Sequence, residues 1–519
     1  MSPSRFVRRS LSAMLLAVVL TACGSSTSTP PVDAKQVQQR LDQFVSAVTQ
    51  VQPGSEFTAK ADGAAKVETN SDGTVTGTLP RLTFTTKEGN VAVLDPITVS
   101  FANGGDGLIN IDAKIPNSFA IKDKTGKVTG QVKIGSQTFK GVWVDKLQTL
   151  NNVEMRLSDL VIDSATEGGD GKVAEIALTG TLDAKGSGLY DGKYALTMSG
   201  FAVDDPAQQT SMKMDTLSVV STIKGAKLED WAKAAKEAGY TLANPELFKA
   251  YTGGTLDPKI IAFLKRMPEF MGNVEYVYSV NGVESTQAGK RVFGLKTMSM
   301  GMGASADGQG TTKIRMSLRA GGLASSADEP MLPPEADVQN ATLEIDASGV
   351  PGKKLWDIYM DALPQLQAEA AKVASESTSA TGDATSAGAT ALQEVGTELS
   401  GKFMEVMTAA KLSIALNQLN LVTPTAKLTG KGAATYLPAD SMLPEGKVSL
   451  RFTGIDALAK AMEKRGPKDE MAQQIMGMVA AVRAMGKPDA TSSATDRAYV
   501  IDIVFTKNGT VTANGQKML

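Results

Sequence analysis

Histidine is absent from this chain of 519 residues, and cysteine occurs once, as Cys23. Together these gaps exclude much of enzymology. Histidine-activated serine or cysteine nucleophiles, imidazole acid–base catalysis, thiolate zinc sites and imidazole metal sites all need side chains that are missing. No disulfide can form within one chain, so stability must come from packing and hydrogen bonding. Aromatic residues make up only 5% of the chain, too few for base-stacking platforms. Basic charge is not in excess either: 53 Lys and Arg stand against 55 Asp and Glu, which argues against nucleic acid as a partner. Past residues 11–20 no long apolar run suggests a membrane span. What remains, 42% hydrophobic and 21% charged, is the composition of a globular protein long enough for about three average domains.

The N-terminus carries an address. Arg5, Arg8 and Arg9 precede the apolar run 11–20, which is too short to cross a bilayer, and residues 1–22 read as a secretory signal peptide. The Arg8-Arg9 pair hints at twin-arginine export, but ordinary secretion needs the same charges. Leu20-Thr21-Ala22-Cys23 resembles the bacterial lipobox. The resemblance implies that Cys23 is acylated and becomes the new N-terminus; the alternative is an ordinary thiol in a discarded signal. Residues 23–33, rich in Ser, Thr and Pro, then form a lipidated flexible tether. Two or more acyl chains anchor stably, so the expected partner is a membrane, held through Cys23. Gly24 after the cysteine implies, by the sorting rule of enteric bacteria, the outer membrane facing the periplasm.

Beyond the tether, Val37, Leu41, Phe44, Val45 and Val48 share one helical face and predict an amphipathic helix. Residues 34–224 read as an N-terminal β-rich domain, because short alternating runs recur about every ten residues between glycine-rich turns. Residues 225–272 read as a helical segment. Residues 273–519 read as a C-terminal α+β domain, with Asn281-Gly282 as a hairpin turn and a disordered linker of small polar residues at about 375–390. The expected fold class is α+β, with curved antiparallel sheets and covering amphipathic helices. Three times a strand runs through glycine into an apolar helix start. These are Gly225 before Leu228 and Trp231, Gly349 and Gly352 before Leu355 and Trp356, and Gly454 before Ile455 and Leu458. A duplicated module and coincidence among 50 glycines explain this equally well. The pattern of strands, helix over sheet and a terminal strand ending near Asn514-Gly515, over about 340–519, resembles an uncharacterised alphaproteobacterial envelope family. More distantly it is similar to lipid-handling AsmA-type proteins. The resemblance implies an envelope setting and supplies no catalytic residues.

Candidate chemistry is sparse. Ser221 and Lys224 have the Ser-x-x-Lys spacing of penicillin-recognising enzymes, and Lys124-Thr125-Gly126 matches their other motif. However, Ser221 sits in a strand-like run and the motif order is reversed. Gly104-Gly105-Asp106-Gly107 and Gly168-Gly169-Asp170-Gly171 lack the carboxylate spacing of a calcium loop and read as turns. Met298, Met300 and Met302 alternate, as do Met212 and Met214, so each set lies on one strand face. Thioethers could hold Cu(I), yet copper sites usually add histidine or cysteine. Methionine as core filler or adaptable apolar lining is the stronger reading. The expectation is therefore a non-enzymatic envelope lipoprotein without cofactor or metal, binding a lipid or hydrophobic ligand in a groove lined by Met298, Met300 and Met302. A scaffold for other envelope proteins is the alternative, and a Ser/Lys hydrolase the second alternative.

Overall fold

The computed structural model describes residues 32–49, 57–86, 89–164, 170–239, 256–306, 310–325, 333–377, 387–436, 444–490, 492 and 497–518. Two compact units divide the chain. The first takes residues 1–207, 220–272 and 356–402, the second 208–219, 273–355 and 403–519.

In the first unit, helix α1 (Ala34–Thr49) lays Val37, Leu41 and Phe44 against a sheet core that includes Val75, Leu79, Val99, Phe101 and Trp143. Strand β3 (Val75–Leu79) alternates buried and half-buried residues, the period-two signature of a sheet with one covered face. The long strands β11 (Thr149–Ser164), β12 (Asp170–Gly186) and β13 (Leu189–Asp205) pair in succession, all antiparallel. Gly180 faces Tyr194 in this ladder, and the tyrosine ring occupies the space that a glycine side chain leaves empty. Burial pushes the Tyr194 hydroxyl up to about 12, and it donates to the Leu150 carbonyl at 3.0 Å. Helix α2 (Leu228–Glu237) is tied to the sheet by Glu229, which accepts from the Tyr190 hydroxyl at 2.6 Å and pairs with Lys146 at 3.0 Å.

The second unit is a meander. Strands β15 (Asn273–Gln287), β16 (Lys290–Ala306), β17 (Thr312–Ser325), β18 (Asn340–Val350), β19 (Ser413–Val422), β20 (Lys427–Thr435), β21 (Glu445–Thr453) and β23 (Tyr499–Phe505) pair successively and antiparallel. Helices α5 (Gly352–Ser377) and α6 (Ala387–Thr408) follow β18. Helices α7 (Ile455–Glu463) and α8 (Glu470–Met485) follow β21 and pack on each other through Ala459, Met462, Ala472, Ile475 and Val479. The insertions leave the spatial order of the strands equal to their order in the chain.

The α+β class is corrected by these elements: among the described residues strand outweighs helix by 54% to 26%, and the fold is predominantly antiparallel β. The cause is strand length. Strands β11 to β13, β15 and β16 run for 15 to 17 residues, and in all of them but β11 alternation broken by glycine reads as separate short strands. Gly282 shows why. It adopts φ +63° inside β15 without a shift of register, since Asn281–Thr297 and Val283–Leu295 continue one ladder on either side of it, and the chain reverses only at Ala288-Gly289, both left-handed. The Asn281-Gly282 dipeptide therefore lies within the strand and is not the hairpin turn. The expected linker at 375–390 coincides with the end of α5 and the start of α6, and residues 378–386 lie outside the described residues. The three strand–glycine–helix passages share one backbone device: Gly225, Gly349 and Gly454 all have φ between +68° and +75°.

Candidate functional site

Cross-strand register turns the second unit's sheet into two faces of opposite chemistry. Tyr278, Met300, Leu318, Leu343 and Leu419 are successive partners on neighbouring strands β15 to β19, and the row continues past Gly430 to Leu450 and Ile501. Flanking rows begin Tyr276–Met302–Met316–Ile345–Leu416 and Val280–Met298–Ala320–Ala341–Leu421. Residues directly opposite each other share a face, so the three rows form one apolar surface. The bulge between Leu416 and Leu419 keeps the parity of the rows, because one extra residue in β19 offsets the odd spacing.

This surface is unevenly covered. Ile501 and Tyr499 at the β23 end are buried, and the Arg483 side chain of α8 reaches Tyr499 there. Toward β15 the cover ends. Tyr276, Tyr278, Met298, Met300, Met302 and Met316 are between 38% and 48% exposed. Three rows over five strands measure on the order of 15 Å by 20 Å, roughly 300 Å², about the size at which an exposed apolar patch on a monomer carries a function.

The opposite face is charged and internally paired. Arg315, Arg319, Asp346, Glu344, Lys447 and Asp502 occupy it, with Arg319–Glu344 at 2.7 Å and Lys447–Asp502 at 2.8 Å. Asp346 is the buried member. Burial alone would raise its carboxyl, but hydrogen bonds from Lys313 at 2.8 Å and Arg315 at 3.1 Å, with Asn417, hold it down at about 2. A carboxyl lowered in the folded state stabilises the fold above its ordinary value near 4 and loses that contribution as pH falls toward 2. Asp346→Asn is expected to cost about 2 kcal/mol at neutral pH and to flatten the decline of stability between pH 4 and 2. Urea unfolding across that range measures both effects.

Of the residues singled out by sequence, Met298, Met300 and Met302 lie side by side on the exposed part of the apolar surface. Exposure near 40% removes the core-filler reading and keeps the lining one. Met212 and Met214 sit on β14 (Thr210–Ala226), exposed and buried respectively. Ser221 and Lys224 also lie on β14, three residues apart, so their side chains leave opposite faces of the strand and the Ser-x-x-Lys pair is not assembled. Lys124-Thr125-Gly126 is a turn closed by Asp123, which accepts from the Thr125 backbone at 2.8 Å. Cys23 lies outside the described residues. Sequence reasoning missed Tyr276, Tyr278, Met316, Leu318 and Leu343. Their alternation is visible in the chain, but placing the turn at Gly282 instead of Gly289 hides which of them face the methionines.

Residues 281–517 match the family model described as an uncharacterized protein conserved in bacteria (DUF2125). The DUF2125 region begins inside β15 and extends through β23, so it carries nearly the whole apolar surface, Tyr276, Tyr278 and Val280 lying just ahead of it. It spans less than half of the chain, and the resemblance expected from about residue 340 reaches back to 281. No curated protein and no solved structure matches the chain. Among the described residues, no helix is long and apolar enough to cross a membrane, and no three His, Cys, Asp or Glu side chains gather as a metal cluster.

Proposed function

We propose that this protein is a non-enzymatic, envelope-anchored lipoprotein that holds a lipid against the exposed apolar surface of its DUF2125 region. The observation that carries the reading is the contiguous triple row of Tyr, Met, Leu, Ile and Ala side chains over β15 to β19, uncovered where the methionines stand. An acyl chain suits that chemistry better than a protein partner does. A protein interface carries about one hydrogen bond per 100–200 Å², whereas the only side-chain polar groups in these rows are the hydroxyls of Tyr276 and Tyr278. Methionine and leucine adapt to a flexible hydrocarbon, and three torsions per methionine let the surface follow different chains. The lipobox-like run Leu20-Thr21-Ala22-Cys23 supports the envelope anchor.

The test uses the full chain with Cys23→Ser, which removes any covalent acyl group. After purification in mild detergent and exchange into aqueous buffer, native mass spectrometry and solvent extraction are expected to find a stoichiometric non-covalent lipid. A lipid-free chain that also takes up no fluorescent fatty acid overturns the reading, and a co-purifying protein in place of lipid shifts it to the scaffold.

A further inference from the structure

We infer that Met300, Met302 and Met316 form a thioether site for a soft monovalent cation, Cu(I) or its redox-inert counterpart Ag(I). Met302 on β16 and Met316 on β17 are direct register partners, which puts their Cβ atoms about 5 Å apart on the same face. Met300 is the next residue of β16 on that face and lies diagonal to Met316, about 7 Å away, within reach of long side chains. Methionine's three side-chain torsions allow three sulfurs from such positions to converge on one ion.

The surroundings select the ion. Register neighbours of the trio are Tyr276, Tyr278, Leu318 and Ile345, with no carboxylate among them. Calcium and magnesium need several hard oxygen ligands, so these rows reject them, while thioether sulfur favours Cu(I). All three methionines are 38% to 48% exposed, so an ion can enter without unfolding the sheet. With no histidine anywhere and one cysteine beside 23 methionines, the chain's soft ligands are almost all thioethers. Met298 supplies a control. It lies two face positions from Met302, and its row partners are Val280 and Ala320, neither of which carries sulfur.

The inference stands apart from lipid binding. Isothermal titration of the lipid-free full chain carrying Cys23→Ser, with silver nitrate in chloride-free buffer, is expected to show one saturable site per chain. Met302→Leu and Met316→Leu should each weaken it by roughly tenfold or more, while Met298→Leu leaves it unchanged. Leucine nearly conserves the volume, and unaltered far-ultraviolet circular dichroism certifies the fold of each variant. X-ray absorption of the Cu(I)-loaded chain should show a sulfur-only nearest shell. A titration without a saturable site, a Met316→Leu chain that binds like its parent, or a shell of nitrogen or oxygen each overturns the assignment. A chain that binds Ag(I) but carries no lipid sinks the lipid reading and leaves this one in place.

Discussion

Gly454→Ala is expected to destabilise the second unit by about 3–4 kcal/mol and Gly349→Ala by a similar amount, whereas Gly225→Ala costs only about 1 kcal/mol. All three glycines are left-handed, at φ +71°, +75° and +68°, so an alanine pays the same conformational penalty at each. The surroundings differ. A Cβ on Gly454 would overlap the carbonyl oxygen of Thr425, and one on Gly349 that of Lys411, while a Cβ on Gly225 meets nothing within 4 Å. Backbone carbonyls cannot rotate aside as a side chain can. The overlap therefore displaces the loop before β20 or the chain ahead of β19, and with it the rows that build the apolar surface. Against a total stability of about 5–15 kcal/mol, a loss of this size is close to unfolding. Urea unfolding followed by far-ultraviolet circular dichroism is the suitable readout. Tryptophan emission is not, because Trp143, Trp231 and Trp356 all belong to the first unit. Equal costs at all three positions would show that the carbonyls are not what makes glycine necessary.

Other glycines, inside the strands, decide how much of this fold the sequence makes legible. Alternation in 275–280 and in 298–302 identifies strands directly, because one face of each is apolar and the period is two. The amphipathic face of α1 is equally plain, and all five of its predicted apolar residues join or flank the core. Pairing is another matter. Register depends on where the chain reverses, and an Asn-Gly dipeptide satisfies a hairpin turn and a left-handed kink inside a strand equally well. In β15 the kink wins: Gly282 lies against Asp215 of β14, and the ladder continues beyond it in the same register at Val283–Leu295. A reader who turns the chain at Gly282 misplaces β16 against β15 and loses the Tyr278–Met300–Leu318 row. The fold class goes wrong for a related reason, since glycines interior to long strands, such as Gly180 filled by Tyr194, look like punctuation. Met298, Met300 and Met302 were legible as one face. That this face stays open, and that Met316 joins it, follows only from the pairing.

Met300→Asp combined with Met316→Asp is expected to reduce lipid retention by at least about a hundredfold while shifting the thermal midpoint by no more than a few degrees. Both side chains lie in the uncovered part of the surface, 38% and 48% exposed, so each carboxylate stays hydrated in the empty protein. A bound acyl chain would strip that water away. Burying an ionised carboxylate without a partner costs several kcal/mol, and two of them exceed what a few hundred square ångströms of apolar contact return at about 25 cal/mol/Å². Ser299→Asp is the matched control. It adds one such charge a single residue from Met300, but on the opposite, charged face, beside Arg319. It should retain lipid fully. Replacing the same two methionines by leucine separates the two ligands proposed for this surface: the leucines preserve the hydrocarbon and remove the sulfurs, so lipid should remain while Ag(I) binding falls. If the double aspartate chain holds as much lipid as its parent, the lipid sits elsewhere in the molecule, and the open end of the β15–β19 surface needs a different occupant.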